Sequence, residues 1–226
     1  MTRIRGVMIG AHSLLKLYLF IVVGLEGLHF LINSILGISG LNQNPEVSAG
    51  NIATSFLLLM AIILPILLFK RILNLGASRG EYYIGSIATY LLFTVIFSLF
   101  NIVWYLLEIN VFVNYKTYFN IIEILNWDQH GIWGMFIYQF GAYLLAISLF
   151  NFVVISLKSK LGIVLSLIIA GGLSAVLSIK ALRVVFVDGL MDIIMNPNIV
   201  VGTMLTLVAS VFFFAIGWYF ISKKEI

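Results

Sequence analysis

No cysteine occurs among the 226 residues, so disulfides and thiolate chemistry are excluded. Charge is also scarce. Asp, Glu, Lys and Arg make up 10% of the chain, whereas a soluble domain carries about 25%. A core folded in water is therefore the wrong expectation. A zinc-protease His-Glu-x-x-His, a Gly-x-Ser-x-Gly elbow and a Walker A loop are all missing. Without the last of these the chain cannot hydrolyse nucleotide by itself, and no enzyme activity, cofactor or metal is expected of it.

What fills the chain instead is apolar sequence, at 62% of residues. Six long stretches, at residues 14–37, 52–70, 83–107, 132–157, 161–180 and 199–221, each reach the length at which a helix crosses a hydrocarbon core of about 30 Å. Barrel strands would be about 10 residues long and alternate in polarity, and the stretches do not alternate. With no water at membrane depth, each segment must satisfy its own backbone as a helix. The expected fold is all-α: a single polytopic membrane domain of six helices over residues 1–226. The first stretch has a basic start, Arg3 and Arg5, but is too long for a signal peptide and lacks a small-residue cleavage site. It is read as a retained span.

The basic residues are unevenly placed. Arg3, Arg5, Lys16, Lys70, Arg71, Arg79, Lys158, Lys160, Lys223 and Lys224 fall on one side of a six-span chain, and only Lys116, Lys180 and Arg183 on the other. Lys and Arg are retained on the cytoplasmic side, so both termini are expected there. The opposite side holds Glu46, Glu108, Glu123, Asp128, Asp188 and Asp192. Trp104, Trp127 and Trp133 are expected at the outer interface, and Trp218 with Tyr219 at the inner one.

Three connections stand out. Lys158-Ser159-Lys160 is so short that spans four and five must be antiparallel neighbours. Residues 118–127 are apolar and aromatic and are expected to lie along the interface as a short helix. Residues 181–197 carry Val184, Val187, Met191 and Ile194 opposite Asp188, Asp192 and Asn196, with Pro197 as a stop. They are too short and polar to span and read as an interfacial or re-entrant outer helix. Within span five, Ala170 and Ser174, and Gly171 and Ala175, are four apart. Small residues at that spacing allow close helix packing in lipid, inside one bundle or against a second subunit.

Glu26 lies near the middle of span one with His29 one turn later. An ionisable group at that depth must be paired or face a polar cavity. The two either pair as packing groups or line a cargo or proton pathway. Glu-x-x-His is also one arm of a four-helix dimetal site, but no second arm exists. His130 beside Asp128 is expected to be solvated.

The connection between spans two and three is the most specific local signal. Span two ends on Lys70 and Arg71, cations suited to a helix C-terminus. Gly76 permits a sharp turn, and Ser78 with Glu81 forms a capping box that starts span three. Tyr82 and Tyr83 are then expected as interface anchors. This run, Gly76-Ala77-Ser78-Arg79-x-Glu81-Tyr82-Tyr83, resembles that of the small permease subunits of type-two ATP-binding-cassette exporters. The resemblance extends to six spans, cytoplasmic ends and a helical outer element between spans five and six. It implies that residues 71–82 are a coupling hairpin docking on a separate ATPase, with Leu73, Leu75, Gly76, Ala77, Ser78, Arg79, Glu81 and Tyr82 forming it. It also implies a second permease subunit, identical or different, ATP and Mg on the partner ATPase, and an amphipathic or hydrophobic cargo such as an antimicrobial or toxin peptide or a lipid-like molecule. Larger members carry a longer elbow helix at the N-terminus than residues 2–13 supply.

The expected function is that of an exporter permease in a bacterial cytoplasmic membrane, with lipid and ATPase as partners and no nucleic acid. Two alternatives stay open: a non-transporting regulatory or structural membrane protein, and a proton-coupled carrier using Glu26. The charge asymmetry generates a direct test. In intact cells, cysteines at Ser39 and Asn114 are expected to react with an impermeant thiol reagent, and a cysteine at Ser78 is not. Labelling at Ser78 from outside would overturn the topology.

Overall fold

The computed structural model describes residues 2–39, 46–112 and 117–223; Asn114, Lys116 and Lys224 lie outside these. Six helices in it are long and apolar enough to cross a membrane. The protein is an all-α, multi-pass membrane protein, as its composition requires.

Helix α1, Thr2–Ile38, is continuous. Residues 2–13 are therefore not a separate element before span one. At 1.5 Å per residue the helix is about 55 Å long, well beyond the hydrocarbon thickness. Its early turns are packed rather than free. Val7, Ala11 and Leu15, four apart on one face, are buried, and Val7 sits where a side chain on Gly85 would have to go.

Span two is three pieces. Helix α2, Ala49–Ile63, runs into a wide π turn, Leu64–Leu68, and then α3, Phe69–Asn74. Pro65 explains the break, since it has no N–H to donate and its ring crowds the preceding turn. The widened turn leaves the Pro65 carbonyl for Lys158, whose Nζ donates to it at 3.1 Å. Helix α4, Arg79–Leu107, follows a tight turn and closes in a second π turn, Glu108–Phe112.

The segment expected to form a short helix at the interface does contain one, with some of its side chains packed inward and others exposed. Tyr118–Phe119 (β2) pairs in parallel with Glu46–Val47 (β1). Helix α5, Ile121–Ile124, and a 3-10 turn, Trp127–His130, then lead into α6, Gly131–Ser156. Ile122 and Trp127 are buried. Trp127 is thus a core residue, stacked on Tyr138 at 6.1 Å, while Trp133 remains exposed.

Helix α7, Lys160–Ser178, antiparallel to α6 across a short turn, is followed by α8, Lys180–Ile194, and α9, Ile199–Lys223. The expected helix in 181–197 is present as α8, ending before Asn196. Its far end is tied by Trp127 Nε1 donating to the Ile194 carbonyl at 2.9 Å.

Within this chain the tight packing of small residues falls on α9 rather than on α7. In α9, Gly202, Thr206, Ser210 and Gly217 are buried against α4 and α6. A Cβ on Gly141 of α6 would lie 2.5 Å from Thr206 Oγ1, and one on Gly217 would lie 2.6 Å from the Tyr83 hydroxyl. In α7, by contrast, Ala170, Gly171, Ser174 and Ala175 are all exposed, and a Cβ on Gly171 or Gly172 would meet no other part of the described residues within 4 Å. These four do not pack inside this chain's bundle. The α6–α9 seam therefore carries the close approach that lipid-embedded helices need. Gly141→Leu is expected to lower stability by about 1–3 kcal/mol through overpacking, read as thermal unfolding in detergent. Gly171→Leu is expected to leave the isolated chain unchanged in the same assay.

Candidate functional site

Three places concentrate polar chemistry: the hairpin at one end of the bundle, an amide–carboxylate cluster at the other, and a groove between them.

The hairpin forms as its sequence dictates. The Ser78 backbone N–H donates to Glu81 Oε2 at 2.7 Å, and the Glu81 N–H donates to Ser78 Oγ at 3.2 Å, completing the capping box. Gly76 takes φ +86°, the left-handed conformation that closes a helix. The side chains do not all point outward, however. Leu73 and Ala77 pack against the main apolar core. Tyr82 is buried edge-on against Phe69 at 5.0 Å, so it is not an interface anchor. Tyr83 is buried as well, its hydroxyl donating to the Phe214 carbonyl at 2.6 Å. Arg79 is half-buried, and its Nη1 donates to the Ser222 carbonyl at 2.5 Å, near the end of α9. Leu75 alone of these apolar residues stands free, 77% exposed at the tip. The Arg79 bond joins the α3–α4 turn to the end of α9, and the Lys158 bond joins the α6–α7 turn to the π turn of span two.

At the opposite end a buried network joins five segments. Asn120 Nδ2 lies 3.0 Å from Glu108 Oε2, 3.0 Å from Ser48 Oγ and 3.2 Å from Asn101 Oδ1. With two hydrogens, it shares them among three acceptors. Asn101 Nδ2 in turn donates to Gln139 Oε1 at 3.0 Å and lies 3.3 Å from the Tyr143 hydroxyl. Asn51 clamps the same region, donating to the Phe119 carbonyl and accepting from the Ile121 N–H. Glu108, Asn101, Asn120 and Gln139 are all buried. Sequence reasoning placed Glu108 only among the acidic residues of that end and passed over the amides. The available signal was Asn101 and Gln139 inside otherwise apolar spans, where an amide needs a partner. Nearby, burial raises the Tyr118 phenol above its ordinary value, and the Glu108 and Glu46 carboxylates push it the same way.

The groove lies between α1, α2 and α4, with a volume of about 510 Å³. Its walls are apolar apart from His12, Glu26 and the indole of Trp104. Glu26 Oε2 is buried there with no hydrogen-bond partner among the described residues, whereas the Trp104 indole interacts with the Glu108 carboxylate. The expected Glu26–His29 pairing is not a hydrogen bond. His29 Nε2 lies 2.9 Å from Asn33 Nδ2 instead, on an exposed face. His130 is exposed and leans on Tyr138, while one Asp128 oxygen beside it is buried with no partner among the described residues. No group of His, Cys, Asp and Glu among the described residues is arranged to hold a metal ion.

Comparison with protein-family models, with curated proteins and with solved structures finds no match to this chain.

The network yields a stability prediction. Asn120→Ala removes the donor from a buried carboxylate and is expected to cost about 1–3 kcal/mol. Glu108→Gln keeps an oxygen for Asn120 and is expected to cost less. Thermal unfolding of both variants in detergent checks the order.

Proposed function

We propose that this chain is the membrane-spanning permease subunit of an ATP-driven exporter. It would sit in a bacterial cytoplasmic membrane with both termini inside and move an amphipathic or hydrophobic cargo outward. The observation that carries the reading is Leu75: a large apolar side chain, 77% exposed, held by a capped and rigid turn on the end of the bundle where basic residues gather. An apolar side chain in water at a fixed position is what a partner's pocket would cover. That partner is the ATPase, and its closure would push on α3 and α4. The resemblance of residues 76–83 to the coupling connection of type-two exporters points the same way. A second subunit would pack on the exposed small-residue face of α7.

The contact roles now divide. Leu75 is the docking residue. Arg79, bonded to the Ser222 carbonyl, links the turn to α9 and would carry the push into a second helix. A proton-coupled carrier is the second reading, favoured by the Glu26 oxygen that has no hydrogen-bond partner among the described residues; it needs no ATPase.

Leu75→Asp is expected to weaken ATPase association by about 2 kcal/mol, roughly thirtyfold, and to abolish cargo-stimulated ATP hydrolysis while the chain still inserts. Copurification from membranes, with the neighbouring ATPase subunit expressed alongside, reads this out. Transport that survives complete loss of ATPase binding would favour the carrier.

A further inference from the structure

We infer that the groove between α1, α2 and α4 binds a lipophilic organic monocation, with Glu26 as its counter-charge. Three observations meet there. First, the cavity is of the size that takes a small organic molecule. Second, Phe93, Phe97, Phe100 and Trp104 recur on one face of α4 at helical spacing, and Phe30 of α1 closes on Trp104 edge-to-face at 5.0 Å. The row is continuous, with Phe97 and Phe100 at 6.4 Å and Phe100 and Trp104 at 5.9 Å. Aromatic faces attract a cation, and do so more strongly away from water. Third, Glu26 Oε2 is buried in the groove without a partner among the described residues, and His29, its neighbour on the helix, is turned to Asn33.

An isolated carboxylate at membrane depth is costly unless something pairs with it. The groove offers it no hydrogen-bond partner among the described residues; His29 lies one turn away on the same helix but bonds to Asn33, and His12 lines the groove more than three turns off. A ligand with one positive centre and an apolar body satisfies all of these features together. The cation meets Glu26, and its body fills the cavity against the rings. A lipid acyl chain would fill the volume but leave Glu26 unpaired, so it is the weaker occupant. An anion is excluded by Glu26.

The inference concerns binding by this chain alone, so loss of the ATPase interaction leaves it standing. The test uses the full chain in nanodiscs and radiolabelled tetraphenylphosphonium as probe, with tetraphenylborate as the anionic counterpart. Saturable binding of one cation per chain is expected, undisturbed by the anion. Glu26→Gln is expected to bind at least about thirtyfold more weakly, as loss of a desolvated charge partner does. Val23→Trp fills the groove while keeping Glu26; it is expected to lose binding too, and it decides the matter if the Gln variant does not fold. Lys160→Gln, in a distant turn, is expected to match the wild type. The proposal is overturned by probe uptake that never saturates, or by wild-type affinity in either groove variant. Binding lost in Val23→Trp but kept in Glu26→Gln marks an apolar groove filled by lipid and also sinks it.

Discussion

In hydrocarbon, apolar contact between helices gains nothing over contact with lipid, and a membrane bundle is held by close backbone approach and by polar groups that have nowhere else to go. Most of this architecture follows from that constraint. The α6–α9 seam brings two helices together at Gly141 and Gly202, and Gly217 gives the same room to Tyr83 of α4. The far end is locked by amides, because Asn101 and Gln139 cannot face lipid: Asn101 donates to Gln139 and accepts from Asn120. At the near end, the carbonyl at Pro65 and that of Ser222 are met by Lys158 and Arg79.

The molecule is built unequally on this basis. Helices α2, α4, α6 and α9 interlock, and the large core residues, Phe56, Tyr90 and Phe152 among them, belong to them or point into them. Helices α7 and α8 lie at the margin, with only Gly162 of α7 buried and none of α8. Helix α1 is intermediate: its early turns pack, while its middle stands off far enough to leave the groove.

Local chemistry was legible in the amino-acid sequence; partnership was not. The six spans follow from length and hydropathy, and the hairpin from Gly76, Ser78 and Glu81, whose roles depend only on their neighbours in the chain. The helix over Lys180–Ile194 likewise announces itself by its stripes. Small residues four apart occur in both span five and span six, and nothing local says which set meets another helix. Trp127 and Tyr82 look like interface anchors because they stand at span ends. They are buried because α8 reaches back over Trp127 and α3 leans on Tyr82. Glu108 looks like one more surface acid until Asn120, twelve residues on, is folded against it. Glu26 and His29 share a helix face, yet His29 finds its partner in Asn33.

The wide turn at Leu64–Leu68 has a geometric consequence for the hairpin beyond it. A π turn amounts to one extra residue in an α-helix, and one residue is about 100° of rotation about the axis. Everything after Pro65 is therefore dialled round by that angle relative to a straight continuation of α2. Phe69 and Ile72 face the core in that setting, and Leu75 is carried outward with them. The aim of the exposed tip is thus set inside the apolar layer, by a proline that never touches it.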